Sequence, residues 1–329
     1  MGGSAVQPEA HRRLEEIPLA AVDLRGHPFS PGLPRDLEAL KASLLTVGLL
    51  APPYLRTQED GGFQVVTGLK RLTAARELGW QTMPAFVLPA GTPEFTCLLL
   101  SLYDNAARPL DPWEQAFYAA CLCRHLPQEE VVRRYLPVLG LAPAPRLLQR
   151  LLKVAELQDP WPPLIATGRL SVNAAALLSG WPPEAQAAAW PYFSTLPLSH
   201  RTQEEFLEGV EILARRRGVA LAHLLADPEL AGPLTAPDLS PASRAEAVRR
   251  RLKELVFPEF SRAKRAFQEG LKALGLAGHP KIRLEPPPAF EGPDFRLTLT
   301  FTDAAELQML LSEVQRLAAS QEFSRLTHL

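Results

Sequence analysis

Cysteine is scarce in this 329-residue chain, and the three present, Cys97, Cys121 and Cys123, make no disulfide framework. Cys121 and Cys123 lie two apart in a helical pattern, so they point to different sides and do not chelate together. Three buried thiols are expected instead. The seven histidines are scattered, none with a Cys, Asp or Glu at metal-ligand spacing, which argues against a zinc site. Long apolar runs are also missing. No stretch approaches the roughly 20 apolar residues that span a bilayer, and the opening MGGSAVQPEAHRRLEE has no apolar core of a signal peptide. A cytoplasmic protein with no membrane partner is expected. Nor is there an excess of either charge: 35 basic residues face 36 acidic ones. A protein held on DNA by bulk charge is normally basic, because released counterions drive that binding. Any nucleic-acid contact must come from a local patch.

The content is that of a globular chain, with 47% apolar and 22% charged residues and length enough for two or three domains. IPLAAVDL (17–24) reads as a short strand. DLEALKASLLTVGLL follows as a helix with Asp36 as N-cap, Leu37, Leu40, Leu44 and Val47 on one face, and Gly48 as its stop. PPYLRT and FQVV flank Gly61-Gly62 as a hairpin. A helix runs from Leu69 to Leu78 and stops at Gly79, MPAFVL (83–88) is a strand, and a helix leads into LLLSLYDNAARPL. Strands and helices alternate in short units, the pattern of a compact α/β domain.

At Asp111 the texture changes. DPWEQAFYAACLCRHL opens with Asp as N-cap, Pro at the first helical position and Glu at the third. Helices continue in QEEVVRRYL, RLLQRLLKVAEL, LSVNAAALLSG and PEAQAAAWPYF, the first two separated by about nine residues that contain Gly140, Pro143 and Pro145. That pair is a helix-turn-helix candidate. Its second helix shows Arg146, Gln149, Arg150 and Lys153, with Arg146 and Arg150 on one face and within reach of guanine edges or phosphates. A helical bundle with arginines on its polar face explains the same pattern.

Between the strand FQVV and the following helix lies Thr-Gly-Leu-Lys-Arg, residues 67–71. A helix N-terminus presents unpaired N–H groups and partial positive charge. Gly68 allows close backbone approach and Lys70 and Arg71 add full charges, so the loop suits a phosphate. An ordinary strand-to-helix turn with solvated cations is the alternative from local chemistry.

Taken together, strand, TGLKR, helix, ELGW, strand, YDNAARPLDPWEQA and a helix-turn-helix resemble the N-terminal part of the ParB family. The family carries Gly-Glu-Arg-Arg-x-Arg-Ala where this chain has Gly68-Leu69-Lys70-Arg71-Leu72-Thr73-Ala74, and Glu-Asn-x-x-Arg where it has Asp104-Asn105-Ala106-Ala107-Arg108. LEALKASLLTVGLLAPPYL and GRLSVNAAALLSG also look like family segments, so the resemblance covers roughly residues 17 to 190. It implies CTP bound with Mg²⁺ and a clamp that closes around double-stranded DNA. The triphosphate would lie over Gly68 to Thr73, with Gly68, Lys70, Arg71, Thr73, Asn105 and Arg108 as nucleotide ligands. Asp104 and Asn105 would lie near the metal, since oxygen ligands suit Mg²⁺.

Departures from the family are specific. Leu69 replaces a glutamate and Thr73 an arginine, which leaves nucleotide binding more plausible than hydrolysis. The Gln-Arg pair before the first helix is replaced by RGHPFSPGLPR, with Arg25 or Arg35 as substitutes. The family's Ser-Arg-Ser start to the recognition helix is absent. Relatives of sulfiredoxin type need Gly-Cys-His-Arg, but positions 69 and 70 are Leu and Lys. Serine kinases of the fold use histidines in this loop, which has none. A nuclease lacks a metal-carboxylate cluster.

From residue 200 the chain reads as TQEEFLEGVEILARRRG, PASRAEAVRRRLKELV and SRAKRAFQEGLKALG, all helical, then strands KIRLE and FRLTLTF and helix DAAELQMLLSEVQRLAAS. Phe295, Leu297, Leu299 and Phe301 alternate with polar residues as on a strand with one buried face. Residues 281–319 are expected to form a small α+β unit that self-associates or packs on the preceding helices. Arg249, Arg250, Arg251 and Lys253 form a second basic cluster, more often a solvated helix face than a DNA contact. The expectation is an α+β multidomain protein: a ParB/sulfiredoxin-like α/β domain over 1–103, a helix-turn-helix domain over 104–199, and a helical and α+β extension over 200–329. As a function it implies a DNA-associated, nucleotide-binding homodimer; the competing reading is a regulatory scaffold that kept the fold and binds protein partners.

Overall fold

The computed structural model of the chain describes residues 13–25, 27–32 and 37–327. It divides into two compact units, 1–186 and 187–329. In the first unit, strands β1 (Arg13–Pro18), β2 (Val22–Asp23), β3 (Tyr54–Thr57), β4 (Phe63–Val65) and β5 (Thr82–Leu88) form one sheet in the order β1-β5-β3-β4-β2. β1 runs antiparallel to β5 and β3 to β4, while β3 is parallel to β5 and β2 to β4. Leu55 faces Val65 on one side and Val87 on the other, and all three are buried.

The segment 17–24 is not one strand. It ends β1, passes through a 3₁₀ turn at Leu19–Ala21 and begins β2, so it serves both edges of the sheet. Pro18 has no N–H to extend a ladder, which explains the break. A flat sheet of five strands at about 4.8 Å spacing has edges about 19 Å apart. Three residues of 3₁₀ helix, rising about 2 Å each, do not reach that far. The sheet must therefore curl until its edges approach.

Helices α1 (Glu38–Val47), α2 (Leu69–Glu77) and α3 (Glu94–Ala106) belong to this part of the unit. Arg76 on α2 pins the sheet corner by donating to the carbonyls of Leu19 at 2.7 Å and Val22 at 2.8 Å. Gly48 stops α1 with φ 75°. Leu44 joins the core with Leu37 and Leu40 against it, but Val47 stays 58% exposed as the last helical residue, beyond the core layer. The expected N-cap Asp36 lies outside the described residues. β3 and β4 form the expected hairpin, with Gly61 at φ 84° in its turn.

Helices follow: α4 (Pro112–Cys123), α5 (Gln128–Glu130) continued by a π-helical turn at Val131–Tyr135, α6 (Pro145–Val154), α7 (Pro162–Ala166), α8 (Val172–Leu178) and α9 (Pro183–Thr195), inside which the units divide. The Asp111 capping box is present in full. Pro145 opens α6 instead of belonging to the preceding turn, because its fixed φ suits a first helical position. Cys97 and Cys121 are buried and Cys123 is half-buried, so the expectation of three buried thiols holds for two.

The second unit comprises α10 (His200–Arg217), α11 (Leu221–Ala226), α12 (Pro228–Ala231), α13 (Pro241–Val256), α14 (Pro258–Ala273), β6 (Ile282–Glu285), β7 (Arg296–Leu299), α15 (Ala304–Ala318) and α16 (Gln321–Thr327). β6 and β7 pair antiparallel, and Ile282 and Leu284 join Phe267, Leu276, Leu310 and Leu326 in a core. The module thus packs on α14. The expected strand FRLTLTF is shorter than its pattern, β7 ending at Leu299, and its apolar face is only partly covered: Leu297 is 39% exposed, and Phe301 beyond the strand 48%. Among the described residues, no helix is long and apolar enough to cross a membrane.

Candidate nucleotide site and candidate nucleic-acid face

The N-terminus of α2 is built around Gly68. It sits at φ 77° in the left-handed region, and a Cβ there would fall 2.7 Å from the Pro53 Cβ and 3.1 Å from Arg71 Nε. Glycine is needed for both reasons. As N-cap it offers no side chain to the helix's first amides. The start of α2 lines a cavity of about 310 Å³, together with Ser30–Gly32, Leu40, Asp104, Asn105, Arg108 and Glu114; Gly68–Arg71 are its contribution. That volume is at the low end of ligand clefts, which run roughly 300–1,000 Å³.

The fold brings the two expected motifs together. Arg71 and Asp104, 33 positions apart, meet in an ion pair at 2.9 Å, and Arg71 also donates to the Ala51 carbonyl at 2.5 Å. Arg108 grips Glu114 with both terminal nitrogens, at 2.7 and 2.6 Å, and donates to Asn105 Oδ1 at 3.1 Å. The Glu114 carboxylate holds the Arg108 guanidinium above its ordinary range, against the burial that works the other way. Lys70, Arg71 and Arg108 give the cavity three cations against the carboxylates of Asp104 and Glu114, with the positive end of α2 added.

Two expected participants lie elsewhere, and a third is outside the described residues. Thr73 is outside the lining, and its hydroxyl donates to the Leu69 carbonyl at 2.9 Å within α2. Arg25 is exposed and also outside the lining, and Arg35 is not among the described residues. Glu114 was legible only as the third residue of the capping box. Its side chain is 3% exposed and it completes the box while gripping Arg108. The spacing of Arg108 and Glu114 across the Asp111 cap is the signal that points to it. Ser30, Pro31 and Gly32 had no local signal beyond their neighbouring prolines and glycine.

Metal donors are few. Asp104 and Asn105 offer hard oxygens of the kind Mg²⁺ takes beside phosphates, but Asp104 Oδ2 is bonded by Arg71 and Asn105 Oδ1 by Arg108. Among the described residues, no three of His, Cys, Asp and Glu gather to hold a metal ion. The donor set fits an Mg²⁺ that takes most of its ligands from phosphate and water.

On α6, Leu148, Leu151 and Val154 are buried while Arg146, Gln149, Arg150 and Lys153 are exposed. Gln149 Nε2 donates to Gln128 Oε1 at 2.7 Å, tying α6 to α5 across the intervening turn. Two of the four cations of the second basic cluster meet carboxylates: Arg249 lies near Glu205 and Glu246, and Arg251 pairs with Glu229 and Glu254.

Comparison with known proteins finds similarity over the first part of the chain. Residues 4–102 match the family model of the ParB N-terminal domain. Stage 0 sporulation protein J of Bacillus subtilis is 34% identical over 173 residues, 51% of this chain and 57% of that protein. Chromosome-partitioning protein Spo0J of Thermus thermophilus is 36% identical over 138 residues, 40% of this chain and 49% of that one. The chain thus spans about half the length of these curated relatives. Among solved structures, the C-terminally truncated chromosome-partitioning protein ParB of Caulobacter crescentus complexed to the centromeric parS site is 21% identical, covering 59% of this chain and 98% of that one, at a TM-score of 0.30. The same protein complexed with CTP-gamma-S is 20% identical, covering 55% and 99%, at 0.24. Residues 4–102 are thus similar to the ParB N-terminal domain, and the curated relatives extend that similarity over about half of the chain.

Proposed function

We propose that the chain is a cytoplasmic chromosome-partitioning protein that binds a nucleoside triphosphate in the α2 cavity and double-stranded DNA through α6, acting as a homodimer. The observation that carries the nucleotide reading is the convergence of Gly68, Lys70 and Arg71 with Asp104, Asn105 and Arg108 around one cavity. The N-terminal end of a helix and nearby cations suit the phosphates. The family resemblance favours CTP as the nucleotide, with Asp104 and Asn105 beside a magnesium ion. Residues 128–154 serve as the helix-turn-helix, with Arg146, Gln149, Arg150 and Lys153 toward the DNA. Residues 281–319 provide the self-association surface, since a two-stranded sheet leaves both outer edges open to pairing.

A second reading has its own observation. Arg71 and Arg108 are each already paired with a carboxylate, so the cavity neutralises much of its own charge, as a scaffold that no longer needs a ligand would. Thermal shift of the full chain with CTP, ATP, GTP or UTP, with and without Mg²⁺, separates the two. A ligand held at 100 times its Kd adds about 2.7 kcal/mol of stability. A clear rise with Mg²⁺ and CTP supports the nucleotide reading; no rise with any nucleotide favours the scaffold.

A further inference from the structure

The side chain of Asn105 is held in one orientation by bonds behind the cavity. Its Nδ2 lies 3.0 Å from the Ser101 carbonyl and 3.0 Å from the Tyr118 hydroxyl. A carbonyl only accepts, so the atom facing it is the nitrogen. Both amide hydrogens are then used, and Oδ1 is left for the cavity side, where Arg108 reaches it at 3.1 Å. The Ser101 hydroxyl lies 2.5 Å from the Phe29 carbonyl and 2.9 Å from the Tyr118 hydroxyl. It donates to Phe29, which leaves Ser101 Oγ at 2.9 Å as the nearer acceptor for the Tyr118 proton, with the Ser101 carbonyl at 3.3 Å as the second. One ordered chain results, from Asn105 N–H to Tyr118 O–H to Ser101 O–H to the Phe29 carbonyl. Ser101 and Tyr118 are both fully buried, and burial pushes the Tyr118 phenol well above its usual range, so it stays a neutral donor.

One end of this chain lines the cavity and the other adjoins its wall. Asn105 lines it, and Phe29 leads directly into Ser30–Gly32, which also line it. That loop has two further ties: the Arg56 guanidinium lies 5.3 Å from the Phe29 ring centroid, and Trp113 Nε1 donates to the Pro31 carbonyl at 3.4 Å. Trp113, Glu114 and Tyr118, all from α4, thus hold the loop, Arg108 and Asn105 respectively. A phenylalanine at 118 would fill nearly the same space, so the buried hydroxyl is explained by the bonds it makes.

We infer that Tyr118 is a positioning residue of the cavity, which turns Asn105 to present an acceptor and sets the 29–32 wall through Ser101. So oriented, Asn105 does not bond a phosphate oxygen; it serves Arg108, a cation or a donor group of the ligand. The inference rests on the nucleotide reading for its consequence, while its geometry stands apart from any ligand.

The test is Tyr118→Phe in the full chain. In ¹H–¹⁵N spectra without nucleotide, the Asn105 side-chain amide and the Gly32 backbone amide should shift, while the amides of Leu55, Val65 and Ala85 stay in place. Ser101→Ala should move the Gly32 amide in the same way, which keeps the test open should Tyr118→Phe fold poorly. Unmoved Asn105 and Gly32 signals would overturn the inference, as would changes spread over the whole unit. With Mg²⁺ and CTP, Tyr118→Phe should weaken binding roughly tenfold, the loss of about one hydrogen bond. Beside Asn105→Ala it should add almost nothing. An equal loss in both backgrounds would make Tyr118 a packing residue and overturn the inference. If the wild-type chain bound no nucleotide, the ligand reading would fail, and the spectra would still decide whether Tyr118 orients Asn105.

Discussion

Two groups of cations in the first unit differ in what holds them. Around the cavity, Arg71 is bonded to Asp104 and Ala51, and Arg108 to Glu114 and Asn105. On α6, Arg146, Arg150 and Lys153 are exposed on a helix whose other face is buried. Held cations favour a compact ligand of fixed geometry, because their positions are set before it arrives. Exposed cations suit an extended polyanion, whose binding is driven by counterion release and falls steeply with salt. The two groups therefore predict different sensitivities to mutation and to salt.

The largest effect is expected where a held cation loses its partner. Glu114→Ala removes the grip on Arg108 and half of the Asp111 capping box. Stability should fall by about 2–4 kcal/mol, discounted because Arg108 is itself partly exposed, as read from urea denaturation. Gly68→Ala comes next. It forces a side chain into left-handed backbone against Pro53, so we expect about 1–3 kcal/mol of destabilisation and loss of nucleotide binding. Equal stability of this variant would show that the α2 loop is less constrained than the comparison requires.

Arg150→Ala should leave stability within about 0.5 kcal/mol, since the residue is exposed. It should weaken binding to a preferred duplex by roughly 1–3 kcal/mol if Arg150 reads a base. If it touches only phosphate, the loss should be uniform across sequences and the salt slope shallower by about one. A DNA affinity unaffected by the change would remove α6 from the interface. Thr73→Ala should have the smallest effect. Its hydroxyl is spent on the Leu69 carbonyl, so nucleotide affinity should be unchanged and stability altered by less than about 0.5 kcal/mol. A marked loss of affinity would return Thr73 to the phosphate site.

What the sequence revealed follows from the range of the signals. The Asp111 cap, the Gly61-Gly62 hairpin and the Gly68 turn are local patterns, and each stands in the structure where the residues point. The proximity of Arg71 and Asp104 was reachable only through family resemblance, since no local rule relates residues so far apart. The split of 17–24 between both edges of a curled sheet had no signature beyond Pro18. Ser101 and Tyr118 were invisible for a different reason. A buried tyrosine and serine on apolar helix faces read as packing, and their role exists only through partners on other elements.

The comparison comes to its sharpest point in calorimetric titration of the full chain with CTP and Mg²⁺ at low and high salt, for wild type and Arg71→Ala. The account predicts one site per chain whose affinity falls roughly tenfold or more in the variant and varies little with salt beside the steep dependence of DNA binding. Equal affinity in both proteins, or no binding to the wild type, would contradict the claim that the cations held around the α2 cavity bind a nucleotide.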